Sequence, residues 1–269
     1  MITAYQLMKA ITDGLKGDTM KVIAIANQKG GVGKTTTANA LIAGLTEQGY
    51  KVLGIDLDPQ GNLTASRGQT AQGATIFGVL TGEVKAKDAI IDTEAGELIA
   101  GSPMLATAEA LITDTGKEYK LKESLQPLQN SYDYIVIDTP PSLGILTINA
   151  LTACDYVIVP AQADLYSLQG IDQLTKTVDA VKKYCNKDIK VAGILLTMYN
   201  SRTRISAEVA GAIDTLANRL QTKVFDTKIR ASVKASEVQF KTGGLFKYAP
   251  RATVTEDYRN WIAELQKAL

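Results

Sequence analysis

The chain has no histidine in 269 residues, only two cysteines and one tryptophan, and its charges nearly cancel. Without histidine, imidazole acid–base catalysis is excluded, and a zinc site would rest almost wholly on carboxylates, a poor donor set for that ion. Cys154 and Cys185 stand 31 positions apart with no C-x-x-C pairing, so both are expected to be reduced thiols at the end of a helix or strand. No apolar run approaches the roughly 18–20 residues that a membrane span needs. Met1–Asp18 has no basic end followed by an apolar stretch, so secretion is not expected either. The net charge of +1 means that any affinity for nucleic acid must come from a local patch.

What is present is an ordinary globular composition, 45% hydrophobic and 21% charged, at a length that suits one α/β domain. The expected organisation is a short extension over residues 1–19, with a short helix expected from Tyr5, Leu7, Met8, Ile11 and Leu15, followed by a single domain over 20–269. Strand-like runs are Val22–Asn27, Val52–Asp58, Glu97–Gly101, Tyr134–Asp138, Tyr156–Pro160, Val191–Thr197 and Val224–Ile229. Most are short, rich in Val and Ile and not alternating, as strands buried on both faces of a parallel sheet are. Between them, Ile171, Leu174, Val178 and Val181 step by three and four, as do Ile205, Val209, Ile213, Leu216 and Leu220. The alternation predicts a doubly wound, mostly parallel sheet flanked by helices. Ser66–Lys87, richer in Gly, Thr and Gln, is expected to form loop and short helix.

After the first strand run comes Gln28-Lys29-Gly30-Gly31-Val32-Gly33-Lys34-Thr35-Thr36. A strict Walker A pattern wants glycine where Gln28 stands, but the deviant form Lys-Gly-Gly-x-Gly-Lys-Thr matches throughout. Glycines let the backbone bring its N–H groups close to phosphate oxygens, and a helix starting near Lys34 adds its positive end. The pattern assigns Lys34 to the β- and γ-phosphates of ATP, the Thr35 hydroxyl to Mg²⁺ and Thr36 to the α-phosphate. An apolar-periodic helix (Leu41, Ile42, Leu45) stopped by Gly49 follows.

Two strand runs end in carboxylates. In Asp56-Leu57-Asp58-Pro59-Gln60-Gly61-Asn62, alternation puts Asp56 and Asp58 on one side, at the strand end where such sheets bind ligands. Asp58 is the candidate for orienting the attacking water, and Asp56 for holding Mg²⁺-bound water. Tyr134–Asp138 is an apolar strand ending in Asp138, the Walker B arrangement on the Mg²⁺ side. A lone strand-end aspartate is most often a turn or helix cap; the company of the glycine loop is what gives these a functional reading.

At these residues the chain resembles the ParA/MinD group of deviant-Walker ATPases, and within it the ParA family of DNA-partitioning ATPases. The segments that carry the resemblance are Gln28–Thr36, Asp56–Asn62, Tyr132–Gly144, Val159–Gln162 and Thr197–Thr203, within a span from about Met20 to Tyr258. The resemblance implies a cytoplasmic, nucleoid-associated protein that binds ATP, dimerises face to face around two nucleotides and hydrolyses slowly until stimulated, usually by a ParB-like centromere binder. It implies that Lys29 contacts phosphate across the dimer. It places Arg230, where many relatives carry proline, and Ser232 in the adenine-side segment, and Asn200 where some relatives touch adenine.

From Arg219 to Arg251 eight cations stand against two acids, a net +6 in a chain of +1. That asymmetry is the footprint expected for phosphate-backbone binding, with Arg202, Lys228, Arg230, Lys234, Lys241, Lys247 and Arg251 as candidates and no sequence preference expected. Three other readings compete. A MinD-like ATPase would need a basic amphipathic tail, whereas Thr255–Leu269, with Trp261, Ile262, Leu265 and Leu269, is balanced in charge and reads as a closing helix. An iron-protein-type electron-transfer ATPase would need cysteines bridging a cluster between subunits. A scaffold without turnover is the third.

Overall fold

The computed structural model describes residues 20–200, 204–219, 221–238 and 244–269. The expected N-terminal extension, Arg202 and Lys241 lie outside the described residues. The strands are β1 (Lys21–Ile25), β2 (Val52–Asp56), β3 (Ile90–Thr93), β4 (Gly96–Ile99), β5 (Tyr134–Asp138), β6 (Tyr156–Ala161) and β7 (Lys190–Leu196). The helices are α1 (Lys34–Glu47), α2 (Asn62–Ser66), α3 (Ile76–Thr81), α4 (Ala108–Leu111), α5 (Lys120–Leu125), α6 (Ile145–Ala153), α7 (Leu165–Tyr184), α8 (Arg204–Arg219), α9 (Val233–Glu237), α10 (Gly244–Tyr248) and α11 (Thr253–Gln266).

The sheet runs β3-β4-β2-β5-β1-β6-β7. All pairs are parallel except the β3–β4 hairpin at one edge. Because successive strand side chains alternate, the interior strand β1 feeds two cores. Ile23 and Ile25 pack with Val136, Ile158 and the apolar face of α11 (Tyr258, Trp261, Ile262, Leu265). Ala24 packs with Ile135, Ile137 and the inner residues of α7 and α8 (Ile171, Leu174, Val178, Ile213). The C-terminal segment is thus a closing helix, as its pattern predicts. Among the described residues no helix is long and apolar enough to cross a membrane.

Two expectations about strands need correction. Ile90–Thr93 is a strand that the sequence did not announce; it is four residues long, partly exposed and paired only with its hairpin neighbour. Val224–Ile229 is not a strand. It meets β7 and its extension through two isolated bridges, Ile194 with Val224 and Tyr199 with Arg230, and through the Ile229 N–H, which donates to the Leu196 carbonyl at 2.8 Å. Between them the N–H groups of Asp226 and Thr227 donate to the Glu264 carboxylate of α11 (2.8 and 3.0 Å) instead of to β7.

Candidate functional site

The site is built at the carboxyl ends of β1, β2 and β5, where a parallel sheet of this type opens its ligand crevice. Gly31 and Gly33 adopt left-handed φ values of 73° and 84°, which side chains with a Cβ adopt only under strain. Gly33 then caps α1, with the Thr37 N–H donating to its carbonyl at 2.9 Å. The Thr197 hydroxyl donates to the Val32 carbonyl (2.8 Å), pinning the buried valine in the middle of the glycine loop. Lys34 is only 6% exposed, and its Nζ lies 3.3 Å from the Lys29 carbonyl. Burial pulls its pKa down, while the charges of Asp138 and Asp58 push it back up.

Strand register brings the acids together. Asp56 stands directly opposite Asp138 across β2 and β5, so the two side chains leave the same face as neighbours. Burial raises the pKa of Asp138 well above the usual carboxylate range, the charge of Asp56 adds to this, and Thr35 and Lys34 oppose it. Neither Asp138 oxygen has a hydrogen-bond partner of ordinary geometry. A fully buried, orphaned carboxylate beside the Thr35 hydroxyl fits a hydrated Mg²⁺, which keeps most of its own waters and takes few protein ligands. No cluster of three or more His, Cys, Asp or Glu side chains capable of holding a metal occurs among the described residues.

Asp56 is engaged differently. Its Oδ2 accepts from the Thr64 N–H (2.8 Å) and hydroxyl (2.7 Å), and its Oδ1 from the Asp58 N–H (3.2 Å). It braces α2 against the end of β2, and burial pushes its pKa up to about 6. The strand ends at Asp56, two residues short of the expected Asp58. Asp58 lies instead on a turn, its Oδ1 accepting the Gln60 N–H at 2.9 Å, and it lines a cavity of about 390 Å³ with Gly30, Gly31, Gly33, Lys34, Thr35 and Thr36.

A second cavity, also about 390 Å³, shares Gly33, Thr36 and Met198 with the first and continues along Arg230–Ser236 to Tyr258. The two form one cleft over the loop. Ser232 lines the second lobe and caps α9 by accepting from the Lys234 N–H (3.2 Å). The Arg230 guanidinium is held by Asp257, with contacts of 2.6–3.1 Å. Asn200 is exposed and is not among the residues lining the lobe.

Lys29 sits at the rim. Its ammonium is ion-paired with Asp164 and lies 3.4 Å from Gln162 Oε1, while its N–H donates to Asn27 Oδ1 (3.0 Å). Sequence reasoning missed Asp164 and Asn27. Asp164 carried a signal, since an aspartate three residues before Ser167 at a helix start is an N-cap pattern, and it does accept the Ser167 N–H at 2.9 Å.

The basic segment is partly self-neutralised. Lys234 pairs with Glu237, Lys247 with Glu94 and Arg230 with Asp257. Lys228 lies over the Tyr199 ring, and Arg251 is exposed. The cluster-bridging reading finds little footing: Cys154 is buried, its thiol pKa raised by burial, and Cys185 lies at the far end of α7.

This geometry defines a P-loop nucleotide site. Residues 20–191 match the AAA domain family. The chain is 40% identical over 250 residues to the sporulation initiation inhibitor protein Soj of Bacillus subtilis, covering 91% of this chain and 98% of Soj. It is 38% identical to the chromosome partitioning protein ParA of Myxococcus xanthus, covering 92% and 88%. Among solved structures it resembles the cobyrinic acid a,c-diamide synthase of Mycobacterium smegmatis with bound ATP analogue and magnesium, at TM-score 0.81 and 36% identity over 92% of this chain and 95% of that one. The chain belongs to the ParA/Soj family of partition ATPases, and it is an ATPase that uses ATP with Mg²⁺.

Proposed function

We propose that this protein is an ATP-dependent dimerisation switch that binds DNA without sequence preference and hydrolyses ATP to drive partitioning of plasmid or chromosomal DNA. Its domain is residues 20–269, its setting the cytoplasm and nucleoid, and its stimulating partner a ParB-like centromere binder. The observation that carries the nucleotide half is the orphaned Asp138 carboxylate beside Thr35 and Lys34 at the mouth of a left-handed glycine loop.

In this reading the backbone of Gly30–Gly33 cradles the phosphates, Lys34 reaches the β- and γ-phosphates and Thr36 the α-phosphate. Thr35 and Asp138 hold Mg²⁺, directly or through its water, with Asp56 supporting from the adjacent strand. Bound Mg²⁺ neutralises charge on the phosphate oxygens. Asp58 orients the attacking water, and the lobe along Arg230–Ser236 receives the base. Lys29 exchanges Asp164 for the partner's phosphate. Arg202, Lys228, Lys234, Lys241, Lys247 and Arg251 supply the DNA-facing charge, which doubles on one face of a two-fold dimer.

The test is the affinity for two unrelated duplexes with and without Mg-ATP at two salt concentrations. ATP should raise both affinities alike, and salt should erase the gain. No ATP-dependent gain, or a strong preference for one sequence, would contradict the reading.

A further inference from the structure

The charge map of the folded chain differs from that of the sequence. In the Arg219–Arg251 segment several cations are already ion-paired. Lysines with no ion-pair partner among the described residues gather instead at the pole opposite the glycine loop. There α5 supplies Lys122, the last turn of α7 supplies Lys182 and Lys183, and the turn into β7 supplies Lys187, around an open pocket of about 310 Å³. Among the described residues Asp188 is the one acid lining it, and Asp155 lies close enough to Lys122 to be affected by its charge. The Tyr119 hydroxyl donates to the Tyr184 carbonyl (3.2 Å) and ties the start of α5 to the end of α7. The 20-residue α7 begins at the Asp164 that holds Lys29, so at 1.5 Å per residue the two ends lie about 30 Å apart.

Lysines in the last turn of a helix complement its negative end. That accounts for Lys182 and Lys183 but not for Lys122 and Lys187, which come from other elements to the same pocket. We infer that this lysine pole is a second contact for the phosphate backbone of duplex DNA, separate from the nucleotide-gated face and present in the monomer; it rests on the reading that the protein acts on DNA. Lysines without arginine forks attract phosphate as point charges and read no sequence. The pocket is open to solvent, which suits a polymer better than a small phosphorylated ligand. Tyr184 is the one large exposed hydrophobic side chain lining it, too little apolar surface for a lipid anchor.

The experiment uses nucleotide-free full-length protein, a duplex of arbitrary sequence and a salt series from 50 to 200 mM. Replacing all four lysines (K122A/K182A/K183A/K187A) should flatten the plot of log affinity against log salt by up to about 3.6, at about 0.9 per lost phosphate contact. Cys185 gives an independent readout, because it is partly exposed while Cys154 is buried. Saturating duplex should slow alkylation of Cys185 at least threefold, and anionic phosphatidylglycerol vesicles should not. An unchanged salt slope, an unprotected thiol, or protection by vesicles but not by duplex would overturn the inference. The four-lysine variant should keep wild-type ATP turnover, which checks its fold. The two readings fail separately: the pole on its nucleotide-free salt slope and thiol protection, the switch on the absence of an ATP-dependent gain in the wild-type protein.

Discussion

Lys34→Ala removes a cation that lies buried between the glycine loop and the acids. Two effects follow from its surroundings. The charge-assisted bonds it offers to the β- and γ-phosphates are worth about 2–4 kcal/mol, which converts to a loss of about 30- to 900-fold in nucleotide affinity. Its charge also opposes the upward pKa shift of Asp138, so without it Asp138 keeps a proton to higher pH and Mg²⁺ must compete for that site. Affinity for Mg-ATP should therefore fall more than affinity for ATP in chelator. The fold should survive, because the substitution also removes a lysine that pays for burial, and circular dichroism will verify this. The assay is isothermal titration with a non-hydrolysable analogue, with and without Mg²⁺, alongside steady-state turnover. Wild-type affinity and turnover would refute the loop assignment, and an equal loss with and without Mg²⁺ would refute the coupling to Asp138.

Two further perturbations test the frame around the site. The pKa of Asp56 is raised to about 6 from 3.8, so its contribution to stability is fully present below about pH 4 and is lost as pH rises through 6. Wild type should gain about 1–2 kcal/mol more than Asp56→Asn on going from pH 7.5 to 5, measured by urea unfolding of nucleotide-free protein; identical pH dependence in the two would remove the shift. A Cβ at Gly193 would stand 2.5 Å from the buried Phe225 ring, which packs edge-on against Trp261. Gly193→Ala should therefore cost about 1–3 kcal/mol, and unchanged stability would mean that the aromatic pair is loosely packed.

Six of the seven strands were legible as short, largely apolar runs, most of them rich in Val and Ile, as strands buried on both faces of a parallel sheet are. The hairpin strand Ile90–Thr93 was not, since it has neither the apolar run nor a buried face. Val224–Ile229 has the composition of a strand, yet Glu264 takes two of its N–H groups, and a residue 38 positions away leaves no trace in a local pattern. The glycine loop and both strand-end acids were visible as motifs. The pairing of Asp56 with Asp138 was not, because it depends on the register of β2 against β5. Charge was the least legible property. The tally over Arg219–Arg251 counted cations that the fold neutralises, and it passed over Lys182, Lys183 and Lys187, which Lys122 joins only in the folded chain.

The central claim is that ATP binding assembles the dimer and that hydrolysis, which depends on Asp58, dissolves it. Asp58 lines the phosphate cleft from a turn and is tied to the protein through the Gln60 N–H, so Asp58→Ala should leave the loop, Lys34 and the nucleotide site intact while turnover falls about 10²-fold or more. Sedimentation velocity of this variant with Mg-ATP measures the consequence directly. The account predicts that the 28.8 kDa chain sediments as a dimer that persists for as long as ATP is present and reverts to monomer when ATP is removed. A variant that binds ATP and remains monomeric would contradict it.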